Sequence, residues 1–182
     1  IFKRNTMKFN KSLLTAALLT AGSLTVANAA PITTDQFDVL LTVDEVCAVV
    51  TGATADISLG NIAAGGAQLT PGSVTGSTTI TTNCSVGSAA IIALTPVSTS
   101  GTTGLGNLIG PNYETVAYKL TSVTGGTGGT AWGNIVGTNT VTTAAALNYA
   151  TPIITTVYAT VTSTADVTPG AYKDTVNVSV TF

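Results

Sequence analysis

Apolar and polar side chains alternate through the last dozen residues. Tyr172, Val176, Val178, Val180 and Phe182 fall on one face, and Thr175, Asn177, Ser179 and Thr181 on the other. Alternation with period two predicts a strand with one buried face. A second alternating run, Phe37, Val39, Leu41 and Val43, lies far upstream. The pattern predicts strands over residues 36–43, 46–50, 55–59, 77–84, 89–95, 114–122, 153–163 and 172–182. They are rich in Thr and Val, whose branched side chains suit a pleated surface. Clusters of Gly, Pro, Ser and Thr at 65–72, 98–110, 125–129 and 168–170 predict the turns between them. Helical periodicity is confined to the first 30 residues; Ala144-Ala145-Ala146-Leu147 is short enough to be a single turn. Short strands at regular spacing predict an all-β sandwich or barrel. A domain that ends on a core strand and carries a spare strand at its front can be completed by a neighbour.

The first 30 residues have a different character. Met7 precedes Lys8 and Lys11, then an apolar run over 13–26, then Ala27-Asn28-Ala29. A basic start, an apolar stretch and an A-x-A site predict a secretory signal peptide over 7–29, cut after Ala29. Residues 1–6 precede it as upstream sequence. The apolar run is shorter than the ~20 residues a membrane span needs, so no membrane insertion is expected after cleavage. The expected organisation is then a free segment over 30–44 and a single domain over 45–182. Glu45 interrupts the apolar phase that runs from Phe37 to Val43 and resumes at Cys47 and Val49, which makes Asp44-Glu45 the joint.

Loss of the leader changes the charge. Only Lys119 and Lys173 remain against eight acidic residues, a net charge of −6. That sign excludes nucleic acid and anionic membranes as partners, because both recruit clustered Lys and Arg. Two cysteines, Cys47 and Cys84, are expected to form one disulfide in an oxidising compartment.

Catalytic patterns do not assemble. The chain has no histidine, and no arginine follows the leader. Two isolated cysteines cannot make a four-ligand zinc site, and the usual nucleophile and base pairs have no members. Gly104-Leu-Gly106-Asn-Leu-Ile-Gly110 has the wrong spacing for a dinucleotide fingerprint and opens no helix; it reads as loop glycines. Asp44-Glu45 reads as a solvated joint, since adjacent strand residues point to opposite faces. Asp35, Asp38 and Asp44 lack the framework of a calcium loop. No catalytic, cofactor or metal residue is assigned. Trp132, Tyr113, Tyr118, Tyr149 and Tyr158 offer an alternative, a carbohydrate-binding surface, against packing in the core.

The C-terminal third carries a more specific pattern. It reads Val157-Tyr158-Ala-Thr-Val161, then Val167-Thr-Pro169-Gly170-Ala-Tyr172-Lys-Asp174-Thr175-Val176-Asn-Val178-Ser-Val180-Thr-Phe182. This resembles the end of the spore coat protein U-like domain, a family that includes the major pilins of archaic chaperone–usher pili. Phe37-x-Val39, Leu59-Gly60, Cys84, Tyr118-x-Leu120 and Ala131-Trp132-Gly133 match further elements in order. Ala159 stands where the family usually has Gly, and the family's Arg-x-Met element is missing. The resemblance implies an incomplete immunoglobulin-like β-sandwich lacking its final strand. It also implies Phe37, Val39, Leu41 and Val43 as a donor strand, and Tyr172, Val176, Val178, Val180 and Phe182 as the strand flanking the groove. The implied partners are a periplasmic chaperone, an outer-membrane usher and identical or homologous pilin subunits, in a polymer displayed at the cell surface for adhesion or biofilm. A secreted spore or cell coat is the alternative within the family.

Overall fold

The computed structural model describes residues 35–50, 56–63, 70–123 and 128–182. The proposed leader and residues 1–6 lie outside these. The chain divides into two compact units, Ile1–Leu41 and Thr42–Phe182. Eight strands are described, all in the second unit: β1 (Cys47–Val50), β2 (Thr75–Cys84), β3 (Ile91–Pro96), β4 (Leu105–Ile109), β5 (Thr115–Thr121), β6 (Val141–Thr142), β7 (Ile153–Val161) and β8 (Val176–Thr181). One 3-10 turn, Pro111–Tyr113, joins β4 to β5.

The strands form two antiparallel sheets. The larger runs β1-β2-β7-β5-β4 and the smaller β6-β3-β8. The alternation seen in the sequence sets the inner faces. Ile80, Thr82 and Cys84 of β2 are buried while Thr79, Thr81 and Asn83 are not. Val157, Ala159 and Val161 of β7 and Val116, Tyr118 and Leu120 of β5 complete that face. Ile92 and Leu94 of β3 meet them from the smaller sheet, with Trp132 and Ala146 from the loops. The all-β sandwich expected from the pattern is therefore present.

Four expectations need correction. Residues 36–43 belong to no strand, although they alternate. Residues 56–59, the described part of the run at 55–59, form no strand either. No helical turn forms at 144–147. The stretch between Gly104 and Gly110 is an edge strand, β4, rather than a loop.

Candidate functional site

Three glycines make β4 possible. A methyl group added to Gly106 would lie 2.5 Å from Cε1 and Oη of Tyr118, the residue opposite it in the β4–β5 register. One added to Gly110 would lie 2.6 Å from Cδ1 of Tyr172. Gly104 has a left-handed φ of 76° and passes against the Trp132 carbonyl. The glycines that imitate a dinucleotide fingerprint thus make room for two tyrosine rings and a backbone crossing.

The tyrosine rings belong to the corner where the chain changes sheets. Lys173 exchanges two backbone hydrogen bonds with Ile109 of β4, at 2.9 and 3.1 Å. Two residues later Thr175 is already on the smaller sheet, its carbonyl accepting from the Val97 N–H at 2.8 Å. Asp174 fixes the corner between them. Its carboxylate accepts from the Ser98 N–H at 3.1 Å, the Thr175 N–H at 2.7 Å and the Tyr118 hydroxyl at 2.7 Å. The Ser98 hydroxyl also donates to it and accepts from the Asn107 N–H of β4 at 2.8 Å. Burial and then the adjacent Asp174 carboxylate push the Tyr118 hydroxyl well above its ordinary value. Beside it, the Tyr172 hydroxyl donates to the Thr168 carbonyl at 2.8 Å, and the Thr168 N–H donates to Glu114 at 2.6 Å. Hydrogen bonds from the Thr168 side chain and then its backbone hold Glu114 below the usual carboxylate range.

Beyond this corner β8 pairs with β3 alone among the described strands, and is the last of them in its sheet. Because Thr175 bonds Val97, hydrogen-bonded pairs in the antiparallel ladder continue at Asn177–Thr95, Ser179–Ala93 and Thr181–Ile91. The N–H and C=O groups of Val176, Val178 and Val180 therefore point along the free edge. Their side chains point toward the other sheet, yet Val178 is still 42% exposed. A cavity of about 730 Å³ lies along this strand, lined by Ile80, Leu94, Leu108, Tyr118, Val157 and Val178 among others. A second, of about 490 Å³, shares Ile57, Leu59, Leu108 and Tyr172 with it and continues toward Val116 and Val167. The two make one apolar groove between the sheets, open where a further strand would pair with β8.

Tyr172 and Phe182, expected on the groove strand, lie outside it. Tyr172 precedes the corner at Asp174 and lines both cavities of the groove. Phe182 follows β8 and is half-exposed. Val176 and Val180 pack on the core from β8 itself. Phe37, Val39, Leu41 and Val43 are each at least 80% exposed, as is Leu40. Cys47 and Cys84 face each other across β1 and β2 and are joined by a disulfide. Sequence reasoning missed Asp174, Ser98 and the glycines of β4. The Tyr-x-Asp pair of the tail was the one signal for them.

Trp132 and Tyr118 are unavailable to a carbohydrate. Trp132 is buried, and its indole N–H donates to the Ile92 carbonyl at 2.8 Å. Among the described residues no group of three His, Cys, Asp or Glu side chains is placed to hold a metal ion, and no helix is long and apolar enough to cross a membrane.

A family model described as the Spore Coat Protein U domain matches residues 33–179. No curated protein matches the chain. Among solved structures, it is similar to a chain of the CsuC–CsuE chaperone–tip adhesion subunit pre-assembly complex, from the archaic chaperone–usher Csu pili of Acinetobacter baumannii. That match has 18% identity and a TM-score of 0.50, and covers 78% of this chain and 40% of that one. It is also similar to a chain of a chaperone–tip adhesin complex of CFA/I fimbriae, with 13% identity and a TM-score of 0.48, covering 74% of this chain and 42% of that one. This chain thus spans about two fifths of each. It belongs to the Spore Coat Protein U domain family, with the sandwich fold seen in chaperone–usher pilus subunits.

Proposed function

We propose that this chain is a structural subunit of a secreted pilus. It assembles by donor-strand complementation along the chaperone–usher route, and the fibre serves adhesion or biofilm formation at the cell surface. The observation that carries the reading is a pair of unsatisfied surfaces in one chain. One is an apolar groove beside a strand with a free edge; the other is a segment whose apolar residues are almost wholly exposed. A bare groove and an unpaired edge invite aggregation until covered. A periplasmic chaperone lends the missing strand first, and the segment over residues 37–43 of the next subunit then replaces it at the usher. Adding a strand to an open edge is a recognised mode of binding. Each large apolar side chain inserted contributes on the order of 1.5–3 kcal/mol. A head-to-tail contact of this kind does not close on itself, so it grows into a filament.

The test uses two adjacent substitutions. Leu41→Asp puts a charge into the groove, at a cost of several kcal/mol or a forced protonation. Thr42→Asp places it on the opposite face. Leu41→Asp subunits should be exported and chaperone-bound but absent from fibres, while Thr42→Asp subunits assemble. The reverse result shifts the register by one residue. Normal assembly of both variants removes residues 37–43 as the donor.

A further inference from the structure

Four exposed apolar side chains gather at one pole of the domain. Val86 is 74% exposed and Leu147 86%, and Val46 and Tyr149 are each about half exposed. Hydrogen bonds tie their loops into one unit. The Ser85 N–H donates to the Val46 carbonyl at 2.8 Å, Gly87 N–H to the Ala146 carbonyl at 2.9 Å, and the Asn83 side chain to the Tyr149 carbonyl at 2.8 Å. The Cys47–Cys84 disulfide lies directly beneath. Exposed apolar clusters of this kind mark interaction surfaces.

The opposite pole also presents apolar surface. The β4–β5 connection, Pro111–Tyr113, carries Tyr113 at 89% exposure. Asn112 and Tyr113 both have left-handed backbones, with φ of 57° and 61°. Strain at two consecutive non-glycine residues points to a function for the conformation. Here it turns an aromatic ring outward. Ile109, 43% exposed, and the exposed Lys173 lie beside it, joined through their backbones.

Resting on the donor-strand reading, chain length brings these poles together. Three residues, Asp44, Glu45 and Val46, separate the last groove-filling residue from Cys47. At roughly 3.3–3.6 Å per residue they reach no farther than about 14 Å from Val43 to Cys47. Phe37 to Val43 has the same length as Val176 to Phe182. Laid antiparallel to β8, as most strand pairs are, the donor ends beside Val176, at the pole of Lys173 and the Pro111–Tyr113 turn. Asp44 and Glu45 then emerge next to Lys173, one of two lysines that follow the proposed leader. Glu114, also at this pole, is turned inward to Thr168 and Tyr172.

We infer that successive copies make a second contact besides the donor strand: the cluster of Val46, Val86, Leu147 and Tyr149 on one copy docks on the Ile109–Tyr113 turn of the copy that receives its donor segment. The contact fixes the angle between neighbours, which a tether of three residues alone leaves free.

The experiment places a photo-crosslinking residue at position 147 of the full chain in assembled fibres, with position 86 as a second site. Both side chains are largely solvent-exposed, so replacement leaves the core intact. Irradiated fibres should yield dimers that survive boiling, with the adduct on the peptide containing residues 109–114 of the neighbour. The same probe at Ile154, 65% exposed on the outer face of β7, should yield none. Adducts elsewhere, or none in fibres that still run as an unboiled ladder, overturn this contact and leave donor-strand assembly standing. Absence of any ladder overturns both.

Discussion

Gly106→Ala should destabilise the domain as much as the loss of a large core side chain. The added methyl meets Tyr118 at 2.5 Å, where ordinary carbon contacts lie near 3.5–4.0 Å. The backbone cannot yield, because Gly106 is paired with Tyr118 itself in the β4–β5 ladder. The ring must move, and Tyr118 is only 3% exposed. Overpacking of this sort costs about 1–3 kcal/mol. Moving the ring also breaks the 2.7 Å bond from its hydroxyl to Asp174, and a hydrogen bond to a charged group contributes about 1.5–3 kcal/mol. The sum, about 2.5–6 kcal/mol, is a large fraction of a domain's usual stability of about 5–15 kcal/mol. It should lower the melting temperature by roughly 10–15 °C for a domain of this size. The assay is a circular-dichroism melt of the purified protein beside Gly128→Ala, where an added methyl meets nothing within 4 Å. Gly106→Ala combined with Tyr118→Ala should cost less than the two singles added, because they share one contact. A melting temperature for Gly106→Ala equal to that of Gly128→Ala would refute the explanation of the β4 glycines.

Three further outcomes are expected. The Tyr118 hydroxyl titrates higher in the folded protein than its ordinary 10.0; the stability tied to it is therefore full below pH 10 and falls above it, with a limiting slope of about 1.4 kcal/mol per pH unit. Denaturation followed from pH 8 to 12 should show that fall in the wild type and a shallower one in Tyr118→Phe. Glu114 titrates below its ordinary 4.5, so its contribution is full above that pH and is lost as pH falls through the lowered value; Glu114→Gln should flatten the acid limb of stability between pH 5 and 2. Finally, Cys47→Ser with Cys84→Ser should let single fibres under load lengthen by about 120 Å more per unfolded subunit, because the bond spans 37 residues at roughly 3.3–3.6 Å each; identical force–extension traces would show that the load does not enter through β1.

The strands legible in the sequence are those whose partners bury one face. β2 and β8 alternate with Thr, Ser or Asn outward; β5 and β7 keep the inward phase at Val116, Tyr118 and Leu120 and at Val157, Ala159 and Val161, although Ala117, Lys119, Ile154 and Tyr158 occupy the other phase. β4 was hidden for a tertiary reason. Gly106 and Gly110 look like loop residues, and only the rings of Tyr118 and Tyr172 explain why a strand must leave out side chains there. β6, two residues long, is too short for any periodicity. Tyr172 shares the apolar phase of β8 but not its sheet. Periodicity reports which side a residue faces and is silent about a corner such as Asp174, whose role depends on Ser98, 76 positions earlier. The segment over 37–43 shows the converse. It alternates yet forms no strand; in the proposed reading its apolar face is matched to a partner's groove.

The corner and the groove explain each other. A strand that stayed in the larger sheet would pair with β4 along its whole length and leave no opening. Asp174 stops that pairing after Lys173 and Ile109 and commits Thr175 to β3 instead. Four donors from three parts of the chain hold the carboxylate: the Ser98 N–H and hydroxyl, the Tyr118 hydroxyl and the Thr175 N–H. From that point β4 and β8 diverge, and the groove opens between them, lined by Leu108, Val176 and Val178 with Ile57 and Leu59. The Tyr172 ring lies over Gly110 at the point of divergence and lines the groove there. The groove reaches Val176 and Val178; in the donor-strand reading an extended segment lies there and continues opposite Val180. The run Phe37, Val39, Leu41 and Val43 supplies one apolar side chain for each of those positions and one more toward Phe182. In the same reading a donor antiparallel to β8 ends beside Val176, so the corner at Asp174 sets where the tether of Asp44 and Glu45 leaves.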